Sequence, residues 1–200
     1  MITLLSLLVS LLLIAMAHEG GHWVAARLNT VTVPLVHIGV GPHLVQFEAF
    51  GTRWRLGLLP LGGYTRVHGM LNSDARVPVQ GDYRLLLPLQ QGFIVAGGPV
   101  GNLFAACVLM ATLAVADGLP WPEVLRTALQ APAYIVHGLV VLWSNGLGLD
   151  LDGPQLARFD GTLRGFVGAL AAGNVIVGLV NLLPSPVTDG GRLLNLILRK

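Results

Sequence analysis

Two histidines and a glutamate stand together at the end of a long apolar run near the start of the sequence. They form the pattern HEGGH, with Glu19 between His18 and His22. On a helix, residues four positions apart share a face, so both imidazoles can bind one metal ion. Neutral imidazole is a common zinc ligand, and a glutamate beside the open coordination position can act as a base toward water. The pattern therefore predicts a zinc site with His18 and His22 as ligands and Glu19 as the catalytic acid/base.

The surroundings of this motif strengthen the prediction. HExxH also occurs by chance in unrelated proteins, in which the histidines are packed or face solvent. Here, however, Met1 to His18 contains no Asp, Glu, Lys or Arg. Ionisable residues inside a membrane segment are costly and usually functional. The apolar context thus favours a metal site over a chance occurrence.

A catalytic zinc site usually has three protein ligands and one water, so a third ligand must come from elsewhere. Asp189 is the carboxylate of the segment NLLPSPVTDGGRLL, and it follows an uncharged stretch from Gly165 to Thr188. Two prolines, Pro184 and Pro186, would interrupt the helix there. We predict that Asp189 is the third ligand. The alternative is a plain helix stop with Asp189 as a cap.

The same segment offers candidate substrate contacts. An unwound backbone at membrane depth is tolerated where it lines a cavity or is buried in protein, and Gly190-Gly191 would let the chain turn tightly there. Asn181 can donate and accept hydrogen bonds. It could bind a substrate backbone or stabilise an oxyanion.

The composition is that of a membrane protein. Apolar residues make up 54% of the 200 residues, charged residues make up 11%, and the mean hydropathy is +0.70. A soluble domain carries about 25% charged residues. Long apolar runs favour helices over a barrel, whose strands alternate. With a net charge of +2 and no basic patch, nucleic-acid binding has no support.

We predict an all-α membrane protein with three transmembrane helices, a membrane-associated β-hairpin region and one interfacial amphipathic helix. The whole chain, 1–200, is expected to form one catalytic core. HLVQFEAF and TRWRLGLL are typical of short strands separated by a glycine-containing turn. The expected bounds are 2–27, 93–116 and 165–188 for the spans, 35–70 for the β-region and 122–146 for the interfacial helix.

The first span has an alternative interpretation. Ala15-Met16-Ala17 resembles a signal-peptidase site, but no Lys or Arg precedes the apolar run as a secretory signal requires. We therefore interpret residues 2–27 as a retained span.

The helix at 122–146 carries polar residues on one narrow face, which favours a position in the membrane interface. These residues are Glu123, Arg126, Gln130, His137 and Ser144, with Trp121 and Trp143 near the ends. A non-crossing helix is also what the zinc site needs. If this helix crossed, Asp189 would lie on the opposite side of the membrane from the histidines.

Basic residues give the orientation. The histidine side would hold Arg27, Arg53, Arg55, Arg66, Arg76, Arg84, Arg192, Arg199 and Lys200, and the other side Arg126, Arg158 and Arg164. Because Lys and Arg are enriched in cytoplasmic loops, we expect an active site that faces the cytoplasm.

Four segments in this order resemble the site-2 protease family of intramembrane zinc metalloproteases, in its bacterial regulator-of-sigma-E branch. They are HEGGHWVAARL, LLPLGGYTRV, AGGPVGNLFAA and NLLPSPVTDGG. The resemblance implies zinc bound by the histidines and Asp189, and Glu19 as acid/base. It also implies substrate contacts from a membrane-associated β-region and from the last segment. The expected substrate-binding residues are Asn181, Pro184, Pro186, Gly62, Gly63 and Asn102, while the glycines of GPVGN are interpreted as packing residues.

The resemblance implies an endopeptidase that cleaves the spans of single-span membrane proteins in a bacterial inner membrane. Unlike its branch, the sequence has no room for a PDZ domain between Asp117 and Arg164, and little follows Gly191. We therefore expect a minimal core, with a separate PDZ-type or regulatory partner as one option. The alternative function is a metal-binding transporter or sensor, or an inactive client-binding relative. A transporter would carry ionisable residues in several spans, whereas here they gather at one site.

Overall fold

The computed structural model describes residues 2–70, 77–144 and 162–198. Arg76, Arg158, Arg199 and Lys200, which the charge argument used, lie outside these residues. The elements, in chain order, are helix α1 (Ile2–Leu28), strands β1 (Leu35–Ala49) and β2 (Thr52–Arg66), a short 3₁₀ helix (Tyr83–Leu85), and helices α2 (Pro88–Ala116), α3 (Trp121–Ser144), α4 (Leu163–Leu182) and α5 (Asp189–Leu198).

Among the described residues, three helices are long and apolar enough to cross a membrane. They are Leu4–Leu28 within α1, Pro88–Ala116 and Leu163–Leu182, and they correspond to the three predicted spans. The last one ends at Leu182, six residues before the predicted end, because the residue before a proline is disfavoured in helical geometry and Pro184 follows closely. Their placement in a bilayer stays a prediction.

Helix α2 packs closely against α1 through small residues. A Cβ added to Gly97 would lie 2.7 Å from the carbonyl oxygen of Gly21, and one added to Gly101 would lie 2.5 Å from that of Ala17. Small residues let two helical backbones approach each other in this way. The packing interpretation of the GPVGN glycines agrees with this contact, which brings the His18–His22 face of α1 against α2.

The predicted β-hairpin is present within the expected region 35–70, and its two strands are longer and more folded than the two short segments predicted. β1 and β2 are antiparallel and join through a turn at Phe50 and Gly51. Leu35 is paired with both Arg53 and Arg66, so the hairpin folds back on itself. Residues 35–38 therefore lie between two segments of β2, and no further strand in the described residues pairs with the outer side of 63–66. This segment is an edge strand.

Helix α3 has one buried face, formed by Val124, Ala128 and Ala131. Ala131 belongs to the same buried cluster as Met110 of α2 and Ala171 of α4. The polar residues Glu123, Arg126, Gln130 and His137 are exposed, whereas the side chains of Trp143 and Ser144 lie outside those described. The interfacial position of α3 remains a prediction.

Helix α5 was not expected. Asp189 opens it, directly after the loop that carries the two prolines. Gly190 and Gly191 are needed for close approach rather than for a turn: an added Cβ would lie 2.2 Å from the Leu182 carbonyl oxygen and 1.8 Å from that of Ser185, respectively. The loop backbone thus packs directly on the first turn of α5 and fixes the position of Asp189.

Candidate metal centre

Three side chains from opposite ends of the sequence meet between α1, α2 and α5. The Nε2 atoms of His18 and His22 each lie 3.1 Å from Oδ2 of Asp189. The candidate ligand atoms of the three residues all lie within 4.8 Å of one another. Asp189 and His22 are buried and His18 is largely so. The structure thus brings together the three predicted zinc ligands.

The Nδ1 atoms of the two histidines make hydrogen bonds, and these bonds show which ring nitrogen acts as a donor. The Nδ1 atom of His18 lies 2.7 Å from Oδ1 of Asn102. Asn102 uses its Nδ2 to donate to the carbonyl of Ile14, which can only accept. Its Oδ1 is therefore an acceptor, so His18 Nδ1 donates to it, and Nε2 is the ring nitrogen left for a metal ion.

His22 follows the same logic. Its Nδ1 lies 2.9 Å from the carbonyl oxygen of Ile94, which can only accept, so Nδ1 donates although the Gly98 N–H lies 3.2 Å away. A second nitrogen that donates to a carbonyl or amide oxygen is the usual arrangement of a metal-binding histidine. Both histidines therefore use Nδ1 for these contacts and direct Nε2 toward Asp189.

This donor set fits zinc. In their neutral forms the two imidazoles each offer one nitrogen lone pair, and together with the carboxylate oxygen of Asp189 these atoms can bind one shared cation. Zinc binds such atoms at about 2.0–2.2 Å in tetrahedral geometry, which separates neighbouring ligand atoms by roughly 3.3 to 3.5 Å. The two 3.1 Å separations are close to that value.

Gly98 provides the space in which the imidazoles lie. A Cβ at this position would lie 2.4 Å from Nε2 of His22 and 2.6 Å from Nε2 of His18. Every other amino acid at residue 98 would therefore overlap both ligand atoms. Gly98 is thus required by the metal centre as well as by helix packing.

Glu19 lies beside the ligands and contacts the edge strand. Its side chain is buried, with 5% of the residue exposed. The hydroxyl of Thr65 lies 2.7 Å from Oε2 of Glu19 and donates to this carboxylate. A Cβ on Gly63 would lie 3.0 Å from Cγ of Glu19, so the glycine lets the strand lie directly against the carboxylate.

A cavity of about 930 Å³ opens over the site. The two histidines, Glu19 and Asp189 form part of its wall. Residues 60–67 of the hairpin border one side, and apolar residues of the spans, Leu11, Ile14 and Val177, border another. The cavity therefore joins the ligands, the edge strand and the apolar surfaces of α1 and α4.

The predicted substrate-binding residues take different positions. Gly62, Gly63 and Asn181 line the cavity. Pro184 and Pro186 lie in the exposed loop between α4 and α5 and do not line it. Asn102 is 0% exposed, and its contacts are with His18, Ile14 and Asn174. It is thus placed behind a metal ligand and away from the cavity.

Two residues of the site were missed from the sequence. Asn174 stands in the apolar run of α4, where a polar residue is a signal in itself. Thr65 shares a strand face with Gly63 by period-two alternation, but nothing in the sequence shows that this face meets Glu19.

Comparisons with known proteins agree with this geometry. Residues 6–200 match the model of peptidase family M50. A protein of Clostridium acetobutylicum is 32% identical over 116 residues, which cover 58% of this chain and 33% of the relative. A protein of Campylobacter jejuni is 40% identical over 96 residues, which cover 46% of this chain and 26% of the relative. A protein of Rhizobium meliloti is 30% identical over 184 residues, which cover 81% of this chain and 46% of the relative. All three are named "putative zinc metalloprotease". The chain spans between about a quarter and a half of the length of these relatives.

Proposed function

The chain belongs to peptidase family M50, and we propose on this basis that it is an intramembrane zinc endopeptidase that cleaves the spans of single-span membrane proteins. One observation carries the proposal. Two imidazole nitrogens and one carboxylate oxygen converge beside a buried glutamate at the wall of a cavity. This set of groups is the one that metal-assisted peptide hydrolysis uses.

His18, His22 and Asp189 would hold the metal. Zinc supplies Lewis acidity toward a peptide carbonyl and lowers the pKa of water. Glu19 accepts the proton of the attacking water and delivers it to the leaving amine nitrogen. The Thr65 hydroxyl holds one oxygen of this carboxylate, which leaves the other oxygen to take the proton. Asn102 and the Ile94 carbonyl hold the imidazoles in the required orientation.

The edge strand supports a substrate in extended conformation. A helical backbone uses its carbonyls in internal hydrogen bonds, so a spanning substrate must unwind before hydrolysis. Residues 63–65 border the cavity next to Glu19, and an extended peptide can add to an exposed strand edge through main-chain hydrogen bonds. Such pairing would hold the scissile carbonyl over the metal ligands. Asn181, which also lines the cavity, would bind the substrate backbone.

The arrangement of the helices supports cleavage at a membrane. The cavity is bordered by apolar residues of all three candidate spans, among them Ile14, Ile94 and Val177, so a substrate span would meet the metal centre among the spans. We propose that the site lies in a bacterial inner membrane and opens toward the cytoplasm, and that a PDZ-type or other regulatory partner selects substrates.

Glu19→Gln tests the proposal. The amide is similar in size to the carboxylate but cannot accept the proton, so the purified variant should retain zinc and cleave no membrane-spanning reporter. Asp189→Ala should lose zinc as well as activity. Cleavage by Glu19→Gln would refute the assigned base. Wild-type protein that binds zinc but cleaves nothing would favour the metal-binding alternative.

A further inference from the structure

A second asparagine is buried in the last of the candidate spans and is not part of the cavity wall. Asn174 of α4 is 1% exposed, and Asn102 of α2 is 0% exposed. Nδ2 of Asn102 lies 2.9 Å from Oδ1 of Asn174, while Oδ1 of Asn102 contacts His18. Buried polar groups in an apolar helix are rare and usually functional. These two amides form a continuous path from α4 to a metal ligand.

The direction of every hydrogen bond in this path is fixed. Nδ2 of Asn174 donates to the carbonyl of Leu170 at 2.9 Å, so Oδ1 of Asn174 must accept from Asn102. Nδ2 of Asn102 has two hydrogens, and it gives one to Asn174 and one to the Ile14 carbonyl. Both amides are therefore anchored by backbone carbonyls that cannot change role. Oδ1 of Asn102 is left as an acceptor for His18.

We propose that Asn174 is a positioning residue, which acts through Asn102 to hold the His18 ring and keep its proton on Nδ1. Without Asn174, the Asn102 amide would lose one of its two donor contacts and could rotate. A rotated amide would present an N–H to Nδ1 of His18, which favours a proton on Nε2. An imidazole in that form has no lone pair for the metal.

The path gives α4 two roles at the same centre. Its C-terminal end leads through a short loop to Asp189, and its middle supports His18 by way of α2. The packing of α4 against α2 therefore determines the position of two of the three ligands. A displacement of α4 would weaken both ligands together.

The inference rests on the proposed zinc site, and zinc affinity tests it without any need for peptidase activity. We would measure affinity by competition with a chelator and record the visible spectrum of the cobalt-substituted protein. Asn174→Leu keeps the number and branching of the side-chain heavy atoms and removes both hydrogen bonds. Val175→Ala, at the neighbouring position that is 0% exposed, is the matched control for a loss of core packing. Should Asn174→Leu fail to fold, Asn174→Ser is the second variant, because its shorter side chain removes the contact with Asn102 and remains polar.

Asn174→Leu should lower zinc affinity by about 10- to 100-fold and shift the cobalt bands, whereas Val175→Ala should leave both unchanged. The double variant with Asn102→Leu should bind zinc no more weakly than Asn102→Leu alone, because both residues act on the same ring. Zinc affinity in Asn174→Leu equal to that in Val175→Ala, or fully additive losses in the double variant, would refute the inference. Wild-type protein that binds no zinc would instead refute the proposed function.

Discussion

At the scale of single residues, Thr65 connects the edge strand with the Glu19 carboxylate. The hydroxyl donates to Oε2 at 2.7 Å, and a hydrogen bond to a charged group contributes about 1.5–3 kcal/mol. Because Thr65 lies on the strand proposed to hold the substrate, this bond would orient the base relative to the scissile carbonyl.

We expect Thr65→Val to lower kcat by roughly tenfold, since a loss of about 1.4 kcal/mol of transition-state stabilisation corresponds to that factor. KM and zinc content should be unchanged, because the strand backbone and the metal ligands are retained. Steady-state kinetics on a membrane-spanning reporter would measure this. Thr65→Ser keeps the hydroxyl and should keep most of the activity. Equal losses in both variants would contradict the role of the hydroxyl.

Gly98 allows a prediction about the metal centre itself. In Gly98→Ala the new methyl group would lie 2.4 Å from Nε2 of His22, and strain of this kind costs about 1–3 kcal/mol. We expect zinc affinity to fall by about 5- to 150-fold. Gly92→Ala is the matched control in the same helix, because its nearest neighbour would be a leucine methyl at 3.8 Å. If both variants bound zinc equally well, the proposed position of the ion would be wrong.

The grouping of the candidate ligands was easier to predict from the sequence than the contacts that support them. His18, Glu19 and His22 follow from local spacing, and Asp189 followed from its isolation after an apolar run. By contrast, the contact of Thr65 with Glu19 and of Asn174 with Asn102 depends on how separate elements pack. Gly98 could be interpreted as a packing residue only, because nothing local shows that two imidazoles lie above it.

At the scale of elements, the long apolar helices were predictable and the irregular segments were not. The spans follow from composition, whereas the fold-back of the hairpin depends on paired backbones that are distant in sequence. Residues 35–38 have two partner segments, and only this arrangement makes 63–66 the edge beside the site. The start of α5 at Asp189 was missed because the two glycines were interpreted as a turn.

The loop that leads into α2 is held by an ion pair between buried Asp82 and the more exposed Arg84, which makes the stability of this element depend on pH. Asp82 is 1% exposed and caps the 3₁₀ helix. Two nitrogens of the Arg84 guanidinium contact its carboxylate. These hydrogen bonds lower the pKa of Asp82 to about 2 from 3.8, although burial acts in the opposite direction.

A carboxyl group whose pKa is lower in the folded than in the unfolded protein stabilises the fold at pH values above its unfolded-state pKa. The contribution of Asp82 is therefore complete above pH 3.8 and disappears as the pH falls toward 2. We expect Asp82→Asn to have a lower Tm than wild type at pH 5, and the difference should shrink as the pH approaches 2. Thermal unfolding in detergent would measure it.

Glu48→Gln is the control for the Asp82 prediction, because its partner Arg53 and Glu48 itself are largely exposed. Exposed ion pairs contribute about 0–1 kcal/mol, so this variant should remain close to wild type. A Tm difference for Asp82→Asn that stays constant between pH 5 and pH 2 would contradict the pH argument.

At the scale of the whole molecule, the three candidate spans separate two ends. One end carries the metal centre and the hairpin. At the other end, Asp117 after α2 and Arg164 at the start of α4 form an ion pair through both oxygens of the carboxylate. Within the described residues the basic side chains are divided unequally. The metal-centre end has Arg27, Arg53, Arg55, Arg66, Arg84 and Arg192, and the other end has Arg126 and Arg164.

Because an excess of Lys and Arg marks the cytoplasmic side, the metal-centre end should face the cytoplasm, and single cysteines can test this. Val77, before α2, is 73% exposed, and Leu119, after α2, is 41% exposed. In a Cys107→Ala background, a membrane-impermeant maleimide should label Leu119→Cys in intact cells whose outer membrane has been opened. It should label Val77→Cys only after the inner membrane is permeabilised.

The reverse labelling pattern would contradict the orientation but would still agree with a membrane-crossing α2. Labelling of both sites from one side would contradict a membrane-crossing α2. Since the grouped side chains His18, His22 and Asp189 lie on α1 and α5 against α2, that second result would also remove the case for hydrolysis within the bilayer while leaving the zinc site intact.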